Sequence, residues 1–311
     1  MSVMVRVSNL SKQFVGLKAV DELSFTVNEG DVYGFLGQNG AGKSTTLRMM
    51  LTLIKPSSGE IDIFGESLQQ HRNKVLSQIG AVIERPDLYK YLTAYENLSI
   101  FARLSGLKVC RKLLMDQLQM VGLADRSASK VKTYSQGMKQ RLGIAVALVH
   151  NPKLILLDEP TNGLDPQGIA DMRNLILDLS RQHGKTVIVS SHLLSEIEQI
   201  ANRMIIIHKG KKITEGVVSE LLDPSHTAVE LDTTDNAATL ALLQQSTQWS
   251  PYLQPASNGI KLQMNKSDIP ALAAWLTEAG TGILAINPKN TLEEFFLSLT
   301  NPARYVEPVA N

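Results

Sequence analysis

The clearest chemical signal in this chain is a glycine-rich segment that ends in lysine and serine. Residues 37–44 read Gly-Gln-Asn-Gly-Ala-Gly-Lys-Ser, which matches the phosphate-loop pattern G-x-x-x-x-G-K-[ST]. Glycines let backbone N–H groups curl around phosphate oxygens, and a helix that starts near Gly42 points the positive end of its dipole at them. We expect Lys43 to reach the β- and γ-phosphates and Ser44 to ligate Mg²⁺. The predicted phosphate-binding residues are Gly37, Gln38, Asn39, Gly40, Ala41, Gly42, Lys43, Ser44 and Thr45.

A second group of chemically competent residues ends an apolar run further along the chain. Residues 154–159 read Leu-Ile-Leu-Leu-Asp-Glu, and because strand side chains alternate between faces, Asp158 and Glu159 should point in different directions. Asp158 can hold Mg²⁺, directly or through water, while Glu159 can polarise the attacking water as a general base. An apolar strand ending in Asp-Glu is common by itself. The preceding phosphate loop makes the catalytic interpretation the stronger one.

The segment between these two motifs indicates the class of protein. Residues 134–141 read Tyr-Ser-Gln-Gly-Met-Lys-Gln-Arg, which resembles the signature motif of ABC ATPases in its S-x-G-M-x-Q-R form. Considered alone, Ser135 is an ordinary N-cap of an amphipathic helix. Residues 162–165, Asn-Gly-Leu-Asp, resemble the D-loop of that family, and residues 190–192, Ser-Ser-His, resemble its switch histidine. The motifs follow the family order over residues 3 to about 222.

This resemblance implies further site residues and a dimeric mechanism. In the family, the helix that Ser135 and Gly137 open receives the γ-phosphate of a nucleotide bound to the opposite subunit, and Asp165 touches that subunit. His192 would bind the γ-phosphate and orient the water beside Glu159. Phe14 matches the aromatic residue that stacks on adenine, although a core phenylalanine would look the same in sequence. The implied activity is hydrolysis of ATP with Mg²⁺.

One position departs from the usual pattern of the family. The loop after residues 79–83 usually carries a glutamine that senses Mg²⁺ and the transmembrane partner, whereas here the matching residue is Glu84. A carboxylate can still ligate Mg²⁺, but it cannot donate an amide hydrogen bond. With residues 89–98 this variant is similar to subunits for bacitracin and lantibiotic export or self-immunity. A one-residue misalignment or neutral drift is the alternative.

The elements that must position these motifs follow an α/β pattern. Short, wholly apolar segments predict strands of a sheet covered on both faces. We expect strands at residues 3–7, 24–27, 31–36, 61–64, 79–83, 154–157 and 186–190. We expect a helix at 43–52 and a helical region at 93–150. The resemblance implies a P-loop NTPase: a RecA-like cassette over 1–222 with an antiparallel β subdomain and a helical subdomain at about 87–150.

A smaller α+β domain is expected over residues 226–311. Its predicted strands lie at 227–231, 260–264 and 282–286, and its predicted helices at 237–245, 269–279 and 292–299. The last helix resembles the closing helix of cytosolic tails on ABC-2-type export ATPases. Its apolar face would pack on its own sheet or contact a second subunit. We find no catalytic motif in this domain.

Composition narrows the possible partners. The net charge is +1 and the longest basic run, residues 209–212, reads as a hairpin turn, so no nucleic-acid partner is expected. A single cysteine excludes an intramolecular disulfide and fits a reducing compartment. No apolar run approaches the roughly 20 residues that span a bilayer. We therefore expect a cytoplasmic protein, peripheral on the inner face of the cell membrane through a separate permease.

Two functions remain open at this stage. The first is an ATP-hydrolysing subunit of an exporter, working as a homodimer or paired with a sibling cassette. The second is a non-transport ABC ATPase that acts on ribosomes or DNA. Ribosome-acting members usually carry two cassettes in one chain, and DNA-repair members carry long coiled coils. This chain has one cassette and no sustained heptads, which favours transport.

Overall fold

The structure is a computed structural model that describes residues 2–221, 227–256 and 259–290. The chain forms two compact units that divide between Val218 and Ser219. The strands of the first unit are β1 Val3–Phe14, β2 Leu17–Asn28, β3 Val32–Leu36, β4 Ser58–Ile63, β5 Glu66–Ser67, β6 Ile79–Val82, β7 Leu154–Asp158, β8 Thr186–Ser191, β9 Arg203–His208 and β10 Lys211–Val217. Its helices are α1 Lys43–Met50, α2 Arg72–Leu76, α3 Ala94–Leu104, α4 Arg111–Met120, α5 Gln136–Leu148, α6 Pro166–Arg181 and α7 Leu194–Ile200, and α8 Val218–Leu221 crosses the division.

A six-stranded sheet forms the centre of the first unit and confirms the predicted α/β class. The strand order is β10-β9-β3-β8-β7-β6, in which every neighbouring pair is parallel except β9 and β10. All residues of β3, β7 and β8 are buried, as expected for strands covered on both faces. The carboxyl ends of these parallel strands meet at one edge, where ligands bind in open α/β sheets.

The predicted antiparallel β subdomain is confirmed as a four-stranded sheet with the order β2-β1-β4-β5. Its apolar face shares a core with the central sheet, in which the ring of Phe25 packs 5.3 Å from that of Phe35. The strands predicted at 3–7 and 24–27 extend to the twelve residues each of β1 and β2. Register shifts along this hairpin interrupt the alternation of buried and exposed residues, which hides its full length in the sequence.

The region predicted as helical over 93–150 contains three separate helices. Gly106 and Gly122 adopt positive φ after α3 and α4, so they end those helices. Two short 3₁₀ turns, at Ala124–Arg126 and Val131–Thr133, lead into α5. The Tyr134 hydroxyl donates a 2.6 Å hydrogen bond to the Arg126 carbonyl and fixes the chain just before the predicted signature motif.

The second unit folds around its own sheet. Its elements are β11 Thr227–Thr233, α9 Asn236–Gln245, β12 Leu253–Gln254, β13 Ile260–Met264, α10 Ile269–Glu278 and β14 Ile283–Asn290. The order β12-β13-β11-β14, antiparallel throughout, with the βαββαβ sequence of elements is the ferredoxin-like arrangement. Trp249, Leu262 and Leu272 lie in its core. The helix predicted at 292–299 lies outside the described residues.

Candidate functional site

The glycine-rich loop joins β3 to α1 at the carboxyl edge of the central sheet. Gly42 is the N-cap of α1 and has a φ of 106°. A Cβ atom there would lie 2.6 Å from the Ala19 carbonyl oxygen, so this position accepts only glycine. Gly37 is equally confined, because its Cβ would lie 2.6 Å from the Ile207 carbonyl oxygen. The backbone itself therefore forms the wall of the loop, as a phosphate cradle requires.

Lys43 lies inside this loop rather than in solvent. Its side chain is 4% exposed, and its Nζ donates hydrogen bonds to the carbonyl oxygens of Gly37 at 2.7 Å and Gln38 at 3.1 Å. The same Nζ is 3.1 Å from Oε1 of Glu159. A buried ammonium held between carbonyls and a carboxylate is positioned to bind an anion that enters the loop.

Asp158 and Glu159 point in different directions at the end of β7. The Asp158 carboxylate is buried, and Oδ1 accepts a 2.6 Å hydrogen bond from the hydroxyl of Ser190 on the neighbouring strand β8. The Glu159 N–H donates to that same hydroxyl at 2.9 Å. Glu159 has a φ of +48°, a left-handed conformation that glutamate rarely adopts. Ser190 thus holds both acidic residues at the strand end.

The Glu159 carboxylate is the meeting point of three segments. Its Oε1 contacts Lys43, while its Oε2 lies 3.1 Å from Nδ1 of His192 and accepts a 3.4 Å hydrogen bond from the amide of Asn162. The phosphate loop, the segment after β8 and the turn after β7 therefore converge on one carboxylate. A water bound here would have a base and a histidine within reach.

A cleft of about 590 Å³ opens beside these residues. It is lined by Asn39, Ser44, Glu84, Arg85, Gln136, Gln140, Asp158, Glu159, Asn162 and Gly163. The three predicted Mg²⁺ ligands, Ser44, Asp158 and Glu84, therefore line one space. Glu84 follows β6 with a φ of +61°, and one of its carboxylate oxygens contacts the guanidinium of Arg48 on α1.

Ser135 and Asp165, which are predicted to contact a second subunit, lie close in sequence to Gln136 and Gly163 of the cleft wall. Ser135 is exposed and caps α5, accepting a 3.2 Å hydrogen bond from the Met138 N–H. Asp165 caps α6 in the same manner, through the Gly168 N–H at 3.1 Å. A Cβ on Gly137 would meet Leu164 at 3.8 Å, so the two predicted motifs are adjacent within one chain. Among the described residues, the cleft lining includes neither Ser135 nor Asp165.

Phe14, predicted to stack on adenine, ends β1 on the surface. It is 42% exposed, and the Lys12 ammonium lies 5.0 Å from the centre of its ring. A core phenylalanine, the alternative left open by the sequence, would be buried. The ring is therefore accessible to a ligand.

Several residues at the site carried no clear signal in the sequence. Ser190 belongs to the Ser-Ser-His motif, but its contacts join two strands that are distant in the chain. Gln140 lies four residues after Gln136, so both are on the same face of α5. Both line the cleft, which the signature motif alone does not indicate. Arg48 belongs to no motif of the sequence, and its contact with Glu84 is visible only in the structure.

Comparisons with known proteins find similar sequences over most of this chain. The family model described as "ABC transporter" matches residues 20–162. The chain is 41% identical over 301 residues to "Bacitracin transport ATP-binding protein BcrA" of Bacillus licheniformis, with 96% of this chain and 98% of that one covered. It is 40% identical over 212 residues to "Lantibiotic transport ATP-binding protein SrtF" of Streptococcus pyogenes, covering 68% of this chain and 90% of SrtF.

A solved structure has the same fold as the first unit. It is the dimeric structure of a post-hydrolysis state of the ATP-binding cassette MJ0796, bound to ADP and Pi. The match has a TM-score of 0.62 at 28% sequence identity and covers 69% of this chain and 99% of that one. A complete cassette of that kind is therefore contained in this chain.

Proposed function

Since this chain belongs to the ATP-binding proteins of ABC transporters, which are ATPases, we propose that it powers the export of a peptide antibiotic through a separate permease. The observation that carries the proposal is the convergence of Lys43, His192 and Asn162 on the Glu159 carboxylate beside the phosphate loop. The similarity to BcrA and SrtF supports the substrate class.

Residues 37–45 bind the phosphates of ATP in this proposal. Backbone N–H groups of the loop and the N-terminus of α1 face the phosphate oxygens, because the glycines leave no side chain in the way. Lys43 exchanges its contacts with the loop carbonyls and Glu159 for the β- and γ-phosphates. Phe14 stacks on adenine, for which its exposed ring is suited.

Glu159 and His192 carry the hydrolytic step. When ATP neutralises Lys43, the Glu159 carboxylate is released from its ion pair and can accept a proton from water. His192 holds Oε2 of this carboxylate and presents its other ring nitrogen to the γ-phosphate. The loss of either side chain should slow hydrolysis more than it weakens ATP binding.

The oxygen atoms that line the cleft fit a magnesium ion. Mg²⁺ usually takes one or two protein ligands together with phosphate oxygens and water. Ser44 and the buried Asp158 supply a hydroxyl and a carboxylate, and the ion would neutralise charge on the phosphates. One oxygen of the Glu84 carboxylate contacts Arg48, so the residue can give up this ion pair to join them. We propose that this exchange couples the cleft to the permease.

A second cassette completes each nucleotide site. We assign the N-terminus of α5, where Ser135 is exposed and caps the helix close to Gly137, to the nucleotide bound by a partner cassette. Asp165 and the rest of its turn lie beside it and would touch the same partner. The active unit is then a homodimer or a pair with a sibling subunit.

In this proposal the membrane-spanning chain is a separate protein. Within the described ranges, no helix has both the length and the apolar character needed to cross a bilayer. We place the chain in the cytoplasm, on the inner face of the cell membrane, where the permease holds it. Relatives named for bacitracin and lantibiotic transport favour this function over one on ribosomes or DNA.

Purification of the tagged chain from its own cells in mild detergent tests this proposal. A polytopic membrane protein should co-purify in near-equal amount, and cells that lack the tag provide the control. Ribosomal or DNA-associated proteins without a permease would overturn the transport function and leave the ATPase activity standing.

A further inference from the structure

One carboxylate outside the predicted site joins two of its segments. Oε2 of Glu196, in the first turn of α7, accepts a 2.6 Å hydrogen bond from the Ser191 hydroxyl and a 2.9 Å hydrogen bond from the Thr161 hydroxyl. Thr161 lies in the turn after β7, and Ser191 is the last residue of β8. We propose that Glu196 is a positioning residue that sets the hydrolytic geometry around Glu159.

The two hydrogen bonds are made by the residues that directly precede the two side chains in contact with Glu159. Thr161 directly precedes Asn162, and Ser191 directly precedes His192. Asn162 and His192 both contact Oε2 of Glu159, at 3.4 Å and 3.1 Å. A single side chain on α7 therefore joins the two segments that carry Asn162 and His192.

The local chemistry explains why an acidic residue occupies this position. Both hydroxyls donate to the same oxygen. A charged carboxylate oxygen accepts such hydrogen bonds more strongly than a neutral oxygen would. The Ser191 hydroxyl already accepts from the Leu193 N–H at 3.0 Å, so its own proton is directed at Glu196. A carboxylate in the first turn of a helix also lies at the favourable end of the helix dipole.

The surroundings of Glu196 are mainly apolar. Glu196 lies beside a small cavity under α6 and α7 whose walls include Ile169, Ile176 and Ile200. Arg173 lines the same cavity and contributes positive charge near the carboxylate. The phosphate loop is tied to the same place, because the Gly37 N–H donates to the Ser191 carbonyl at 3.2 Å.

This inference rests on the proposed hydrolysis at Glu159, and its test compares three variants of the full-length chain. Glu196→Ala removes both hydrogen bonds, whereas Glu196→Gln keeps a carbonyl oxygen that can accept them. Ser195→Ala, at an exposed position of the same helical turn, is the matched control. The assay measures kcat and KM of the ATPase reaction together with the affinity for ATP.

We expect Glu196→Ala to lower kcat by about 10- to 100-fold, the scale of a small misplacement of reacting groups, with ATP affinity unchanged. Glu196→Gln should stay within about fivefold of the wild type, since it loses only charge assistance. Thr161→Val removes one hydroxyl at nearly constant volume and should lower kcat by an intermediate factor. It keeps the test decisive if Glu196→Ala does not fold.

Other results would overturn the inference. Wild-type kcat in folded Glu196→Ala or in Thr161→Val would show that the carboxylate does not set the geometry. An equal loss in Glu196→Gln and Glu196→Ala would show that charge, and not the shared hydrogen bonds, matters. A wild-type chain without ATPase activity would instead refute the proposed function, so the two failures are distinguishable.

Discussion

Substitution of Ser190 by alanine should destabilise the first unit strongly, although the change removes a single oxygen atom. The hydroxyl is buried, donates to the buried Asp158 carboxylate at 2.6 Å and accepts the Glu159 N–H at 2.9 Å. A hydrogen bond to a charged group contributes about 1.5–3 kcal/mol, and an N–H left without its acceptor costs about 1 kcal/mol. The expected loss is therefore roughly 2.5–4 kcal/mol.

Thermal unfolding of the nucleotide-free chain measures this loss. For a unit of 150–250 residues, each kcal/mol shifts Tm by about 2–4 °C, so Ser190→Ala should lower Tm by roughly 5–15 °C. Ser195→Ala, which removes an exposed hydroxyl from α7, should leave Tm within about 1–2 °C of the wild type. If the two variants unfolded at the same temperature, Ser190 would not be what holds the acidic strand end.

The remaining predictions concern the cleft and the core. Glu84→Gln should keep ATP binding but change turnover or its coupling to transport, and Arg48→Ala should also change them, because it frees the Glu84 carboxylate from its ion pair. Unchanged ATPase and transport rates in both variants would show that Glu84 has no role in coupling. In Gly34→Ala the new Cβ would lie 2.3 Å from Cγ2 of Ile197, so urea unfolding should show a loss of about 1–3 kcal/mol. Burial raises the pKa of Tyr33 well above its usual value, so wild-type stability should fall as pH rises past about 10, and Tyr33→Phe should lack that component in alkaline unfolding titrations.

The sequence predicted the parts of the site that lie close together along the chain. The phosphate loop needs glycines at fixed spacing because backbone must approach phosphate, and the structure shows how Gly42 is confined. The α/β class followed from short apolar runs, which the buried strands β3, β7 and β8 confirm. In the second unit, the strand predicted at 260–264 matches β13 residue for residue.

Contacts between distant segments were beyond sequence reasoning. Arg48 and Glu84 meet because α1 passes the end of β6, and no local pattern encodes that approach. Glu196 lies in the first turn of α7, where an acidic residue usually helps to cap its own helix. Its hydrogen bonds to Thr161 and Ser191 depend on the alignment of β7 and β8 in the sheet. The strands β9 and β10 were not predicted, although the turn between them was expected.

In the proposed cycle, Glu159 acts on water only when two ATP-bound cassettes have closed. Glu159→Gln keeps the shape of the side chain but removes the base, so hydrolysis should fall by about 10²- to 10⁴-fold. The decisive measurement is size-exclusion chromatography with light scattering of Glu159→Gln with and without Mg-ATP, paired with its ATPase rate. A dimer that forms only with ATP and does not turn over is the predicted result. If Glu159→Gln stays monomeric in ATP and hydrolyses it at the wild-type rate, Glu159 is not the general base.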